Sequence, residues 1–299
     1  MKPLSIVSLF VLGTLSATAS TLQDRSAHLV QHHRISRQLG SLTEPKVKLS
    51  KRSGTKKCKA KPKGSGLTAS TPAGSNSGLI NVVSKCGNIG ATKKVTATSG
   101  PNGNIDWLNC GINSGGWNPP VLGVKDIVVV ELSTAIQQSG SPFKPCEPYL
   151  DLFNKYAAQF KVPPILLASF AMQESTCNPS TVGGGGEQGL MQITQDKCGG
   201  APGGNCRDPE FNIRTGAKFF ADTLNGNNGD LLLTIGQYNG WQQHMTFGQA
   251  TAAAHTSCCR CQNNLDYLHQ FLNGWCQNVN AYGNNPRLGK YFNLDKCHD

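Results

Sequence analysis

Residues 163–175 read PPILLASFAMQES, and apolar side chains fall on every side of the helix this pattern predicts. A helix of that kind has no face for water. It has to sit in the middle of a core with other elements wrapped around it. Those elements are visible nearby. Tyr149, Phe153, Tyr156 and Phe160 recur at three- and four-residue spacing, as do Ile213, Ala217, Phe220 and Leu224, and then Leu265, Leu268, Phe271 and Trp275. DLLLTIGQYNG, residues 230–240, ends on an Asn-Gly pair suited to a helix terminus. The expectation is a mainly α domain over residues 143–299, large enough to bury a core around one central helix. Residues 67–142 are rich in Gly, Ser, Thr and Asn and read as a less regular N-terminal region packed against it. Within that region the run DIVVVEL, residues 126–132, fits a strand or a buried helix turn equally well.

The central helix has to stop at Glu174-Ser175, because Cys177-Asn178-Pro179 breaks the pattern. Four glycines, Gly183 to Gly186, follow, and then Gly-Leu-Met-Gln-Ile at 189–193. An apolar setting and the negative end of a helix dipole both disfavour an ionised carboxylate, so the expected direction of the Glu174 pKa is upward. A carboxyl group kept protonated near neutral pH can give its proton to a leaving oxygen, which is what sugar-bond cleavage requires. Standing alone, such a Glu reads more readily as a helix-terminal side chain held by a backbone or Arg partner.

Glu174 does not stand alone. Glu174-Ser175, Asn178-Pro179, Gly189-Leu190-Met191-Gln192-Ile193, Asp208-Pro209-Glu210-Phe211-Asn212-Ile213 with Gly216, and Gln237-Tyr238-Asn239-Gly240 resemble, in order, the motifs of the soluble lytic transglycosylase (SLT) family, a relative of goose-type lysozyme. The resemblance spans roughly Cys146 to the C-terminus and implies a disulfide-stapled, lysozyme-like fold that cleaves the β-1,4 bond between N-acetylmuramic acid and N-acetylglucosamine. Carried over position by position, it makes Glu174 the single catalytic acid/base, with Ser175 orienting it. Met191 would wall the groove, Gln192 and Asn239 would hydrogen-bond the sugar, and Tyr238 would place its hydroxyl near the scissile bond or Glu174. Trp241 could add a stacking face or serve as a core aromatic. The chain departs from the family where members often carry a Ser-Pro-x-Gly-Ala-like run and this one has Gly183 to Gln188, and at Thr194, where many carry Met.

Glu187 in that loop raises a second mechanism. A lytic transglycosylase manages with one Glu and closes a 1,6-anhydro ring, whereas an inverting hydrolase needs a second carboxylate to activate water. Glu187, and less plausibly Asp196, would be that carboxylate, with a solvated loop charge as the other reading. The resemblance implies no metal or organic cofactor. The partner it implies is peptidoglycan or a related N-acetylhexosamine glycan, with a chitinase-like enzyme or a non-catalytic glycan-binding or antimicrobial protein as the alternatives.

The first 19 residues, with Lys2, the apolar run LSIVSLFVLGTL and Ala17-Thr18-Ala19, read as a secretory signal peptide, so the protein is expected to be exported, extracellular and free of membrane anchoring. Lys51-Arg52 reads as a processing site, making 20–52 a candidate propeptide and 53–66 a basic linker. The net charge of +11 invites a nucleic-acid reading, but residues 1–66 carry all of it, with 13 Lys/Arg against Asp24 and Glu44. The 15 basic and 15 acidic residues after them balance, so no nucleic-acid partner is expected. A monomer is the default. Twelve cysteines in an exported chain predict up to six disulfides, with Cys198 and Cys206 bracketing one short loop. Cys258-Cys259-Arg260-Cys261 beside His255 fits no common zinc spacing and reads as disulfide-forming.

Overall fold

The computed structural model describes residues 78–297. The leader, the candidate propeptide with its Lys51-Arg52 site, the basic linker, residues 67–77 and Cys58 lie outside the described residues. What is described is mainly α. A two-stranded antiparallel ribbon of β1 (Ser99–Gly100) and β2 (Gly103–Asn104) precedes the helices. They are α1 (Ile105–Leu108), α2 (Leu132–Gln137), α3 (Leu150–Phe160), α4 (Pro164–Ser175), α5 (Pro209–Gly226), α6 (Leu231–Tyr238), α7 (Phe247–Ala250) and α8 (Tyr267–His269). No helix among the described residues is long and apolar enough to cross a membrane.

The helix that is apolar all round is α4, and every residue from Ile165 to Ser175 in it is buried. Pro164 opens it with a φ already set for helix and no N–H to leave unpaired. Thr176 and Cys177, both left-handed, close it, and their N–H groups return to the carbonyls of Met172 and Ala171 at 3.0 Å each. The Cys146–Cys177 bridge fastens this end. Phe170 at the centre of α4 touches Phe220 of α5, Tyr238 of α6 and Phe271, at centroid distances of 5.1, 4.2 and 4.6 Å. Each such ring, fully buried, stabilises the fold by about 1.5–3 kcal/mol. Helix α3 packs on both α4 and α5.

Residues 78–142 share this core: Trp107, Trp117, Ile127 and Val129 belong to the same buried cluster as Phe170 and Phe220. The run at 126–132 forms neither a strand nor a helix before Leu132. Its backbone is paired by amide side chains instead. Asn102 accepts from the Val128 N–H at 2.7 Å, and Asn102 and Gln277 both donate to the Val128 carbonyl, at 2.8 and 2.6 Å. The Leu265–Trp275 periodicity also resolves differently from one regular helix. After α8 the chain widens into a π turn, Gln270–Gly274, and tightens into a 3₁₀ turn, Trp275–Gln277. The wide turn carries Asn273 into the interior, where it accepts from the Asn102 N–H at 2.8 Å and donates to the Gly103 carbonyl at 2.9 Å.

Five disulfides form among the described residues: Cys86–Cys110, Cys146–Cys177, Cys198–Cys206, Cys258–Cys261 and Cys259–Cys297. The short-loop pair is as expected, and the 258–261 cluster is fully used in bridges. Five lies within the expected ceiling of six, and Cys276 is a free thiol buried against Ser169 in the core, whose burial pushes its pKa up to about 12. A thiol so protonated is chemically inert.

Candidate active site

Glu174 occupies the last turn of α4 and is 1% exposed. Its immediate surroundings are phenolic. Burial, and then the Glu174 carboxylate, hold the Tyr238 and Tyr267 phenols well above their ordinary range. The Glu174 charge is felt at the Tyr282 phenol as well. Tyr238 donates to the Met191 carbonyl at 3.1 Å, and Tyr282 donates to the carbonyl of Gln173, the neighbour of Glu174, at 3.2 Å. Tyr267 is fully enclosed, and its hydroxyl has no hydrogen-bond partner among the described residues.

The loop after α4 is built to press on that helix end. Ser175 Oγ lies 2.8 Å from the Leu190 carbonyl and 3.0 Å from that of Ala171, so it ties the 189–193 loop to α4 and positions Glu174 through the backbone. Asn212 of α5 holds the same loop from the other side, accepting from the Met191 N–H at 2.8 Å and donating to the carbonyls of Gln188 and Cys206 at 2.7 and 2.9 Å. Gly189 has φ +78°, and a Cβ on it would stand 2.3 Å from the Asn212 amide, so only glycine fits there. Gln192 adopts a left-handed backbone with φ 47° and bonds the carbonyls of Gly189 and Thr181 at 2.9 and 3.2 Å. Its Oε1 is buried without a partner among the described residues.

The glycine run has a steric reason too. A Cβ on Gly183 would lie 2.6 Å from Glu187 Oε2 and 2.7 Å from Gln192 Oε1, so both side chains converge over that bare backbone. Glu187 is 2% exposed and accepts from the Gly185 N–H at 3.0 Å. The reading of Glu187 as a solvated loop charge is therefore corrected: its own loop folds over it. Asp196, by contrast, is mostly exposed and pairs with Lys197.

Two further positions turn inward. Met191 is fully buried and packs on Gly216 of α5, so it belongs to the core rather than to a groove wall. Trp241 is 1% exposed and meets the Trp117 indole edge-on at 4.9 Å, so of its two readings the core aromatic holds, packed on the N-terminal region. Asn239 ends α6, its carbonyl accepts from Asn263 at 3.1 Å, and its side-chain oxygen is buried without a partner.

The cavity at this place has a volume of about 740 Å³. Of the residues singled out in the sequence, Glu174 and Ser175 line it, while Glu187, Met191, Gln192, Tyr238, Asn239 and Trp241 do not. The rest of the lining includes a part the sequence reading missed. It comes from Asn264, Asp266 and Gln270 and from the segment 280–295, including Tyr282, Asn284 and Arg287. No periodicity marks that segment, and its placement depends on long-range bonds. The Asp266 carboxylate accepts from the N–H groups of Lys290, Tyr291 and Phe292 at 2.8, 2.9 and 2.7 Å, Gln270 donates to the Leu288 carbonyl at 3.1 Å, and Cys259–Cys297 fastens its end.

Residues 151–255 match the family model described as Transglycosylase SLT domain. The 70 kDa soluble lytic transglycosylase of Escherichia coli is similar at 23% identity over 48% of this chain and 26% of that one, with a TM-score of 0.31. A lytic transglycosylase of Pseudomonas aeruginosa, solved as an inactive mutant, is similar at 18% identity over 43% of this chain and 22% of that one, with a TM-score of 0.29. The chain thus spans about a quarter of the length of these proteins. The segment that carries Glu174, the 189–193 loop and Tyr238 is the one that matches the SLT-domain model.

Proposed function

We propose that this protein is a peptidoglycan lytic transglycosylase, with Glu174 as its one acid/base. The observation that carries the reading is a buried carboxyl group on the wall of a cavity whose other walls are lined by Asn178, Asn264, Gln270, Asn280, Asn284 and the Tyr282 ring. Amide side chains suit sugar hydroxyls and acetamido groups, and an aromatic ring suits a pyranose face. In the first step Glu174 gives its proton to the glycosidic oxygen as the C1–O4 bond breaks and the muramic C1 becomes cationic. In the second the carboxylate takes the proton of that sugar's own 6-hydroxyl as its oxygen bonds C1. The products are a free 4-hydroxyl and a 1,6-anhydro ring, and Glu174 ends as it began.

Ring closure is favoured over hydrolysis by the state of the other carboxylates. Glu187 does not line the cavity and is held by its own loop. Asp266 lines it but is taken by three backbone N–H groups, and Asp295 is paired with Arg287. Each candidate for activating water is committed elsewhere. Gln192 and Asn239 do not line the cavity, and their hydrogen bonds frame the loops. Export to an extracellular, oxidising compartment, as a monomer, belongs to the same proposal and is supported by five disulfides.

Mass spectrometry of the soluble products released from purified peptidoglycan tests this, with Glu174→Gln as control. Products one water lighter than reducing-end fragments are expected. Reducing ends would overturn ring closure and return attention to Glu187. Cleavage of chitin oligosaccharides with none of peptidoglycan would replace the substrate, and activity surviving in Glu174→Gln would replace the residue.

A further inference from the structure

The lining of the cavity contains charge as well as amides. Three carboxylates line the cavity, Glu174, Asp266 and Asp295, and among the described residues on its surface Arg287 is the single cation. The Arg287 side chain is about half exposed. Its guanidinium lies over the Phe292 ring at 3.9 Å and bonds Asp295 through Nη2. A guanidinium presents five N–H donors in one plane, and the bond to Asp295 engages Nη2. Stacking on Phe292 fixes the plane, and the three N–H bonds to Asp266 fix the backbone beyond it. The result is a preset cationic fork on the border of an otherwise neutral-to-acidic cavity.

A glycan of N-acetylglucosamine alone has no use for such a group. A muramic unit carries a carboxylate, either its own lactyl group or one on the peptide attached there. We propose that Arg287 is a specificity-determining residue that binds this substrate carboxylate and selects muramic-acid-containing glycans over neutral ones. The inference rests on the glycan-cleaving reading above and deepens it. It also places the selection outside the matched segment 151–255, on a wall this chain supplies itself.

The test measures binding, so that it does not depend on turnover. Glu174→Gln protein is titrated with three tetrasaccharides: peptide-bearing muramyl, peptide-free muramyl with a free lactyl group, and chitin. Arg287→Gln in the same background should lower the preference for the anionic ligand over chitin roughly fivefold, the size of one half-exposed charge pair. Arg287→Lys should keep part of it, and added salt should erode the parent's preference more than the variant's. Loss confined to the peptide-bearing ligand would assign the peptide carboxylate, and loss on both muramyl ligands the lactyl group. An unchanged ratio, or an equal fall on all three ligands with a lowered melting temperature, would overturn the inference. Absence of binding to all three by the Glu174→Gln parent would remove the glycan reading and the inference with it.

Discussion

The segment 151–255 and the stretches flanking it, 78–150 and 256–297, solve the same problem by different means. In the matched segment the backbone satisfies itself within α3 to α6, and apolar side chains at helical spacing do the packing. In the flanks regular structure is sparse, and buried Asn and Gln side chains take the place of a partner strand or helix. Asn102, Asn109, Asn263, Gln270, Asn273 and Asn293 each bond distant main chain. The difference teaches where tolerance lies. A helix loses part of a hydrophobic contact when one side chain is trimmed, whereas an irregular segment loses the only partner of a buried polar group.

The largest effect expected concerns function within the matched segment. Glu174→Gln should lower turnover of purified peptidoglycan by about ten-thousandfold, or about 5 kcal/mol, with the melting temperature nearly unchanged. Loss of fold in that variant would move Glu174 from the chemistry into the framework. Next, Asn273→Leu should cost roughly 4 kcal/mol of stability by denaturant unfolding, because it orphans the Asn102 N–H and the Gly103 carbonyl together. A cost under about 1 kcal/mol would show that the flank is held by apolar packing after all.

How much of this was legible follows the same division. The central helix, Glu174 at its end and the loop motif were readable because each is local: periodicity, a proline break, a fixed run of residues. The motif places Met191 on a groove wall and leaves Trp241 open between groove and core, because a motif gives identity without direction. Only Gly216 and Trp117, distant in sequence, turn those side chains inward. Asp266, Tyr267, Tyr282 and Arg287 carried no local signal, since what brings them to Glu174 is a set of bonds across many residues.

Acid probes the flanks next. His269 is fully buried, with Nε2 toward the Thr96 carbonyl at 3.3 Å and Nδ1 beside the Asn273 amide at 3.0 Å, and burial lowers its pKa to about 4. The native state therefore refuses a proton that the unfolded chain accepts near its ordinary value of 6.5. Stability should be flat above about pH 6.5 and fall as pH drops toward about 4, by roughly 3 kcal/mol in all. Urea melts of the protein and of His269→Gln, compared across that range, read the difference. Equal slopes would mean that His269 is not what makes the flank sensitive to acid.

The smallest effect expected is at the surface. Lys290 bonds Asp106 of α1 in an ion pair between the two flanks. Both side chains are largely exposed, and Lys290→Ala should change stability by less than about 0.5 kcal/mol, as read by thermal melts at two salt concentrations. A larger change would make charge, rather than amides, the flanks' fastening.

The bridge from Cys259 to Cys297 spans a sequence separation of 38 and closes the end of the wall that faces Glu174. None of the residues of α4 depends on it. Opening that bridge alone, as Cys259→Ser with Cys297→Ser would, keeps the Cys146–Cys177 fastening beside Glu174 and frees the 280–295 part of the cavity lining, so that the pocket's shape, and with it the choice of glycan, is conditional on two sulfur atoms remaining joined.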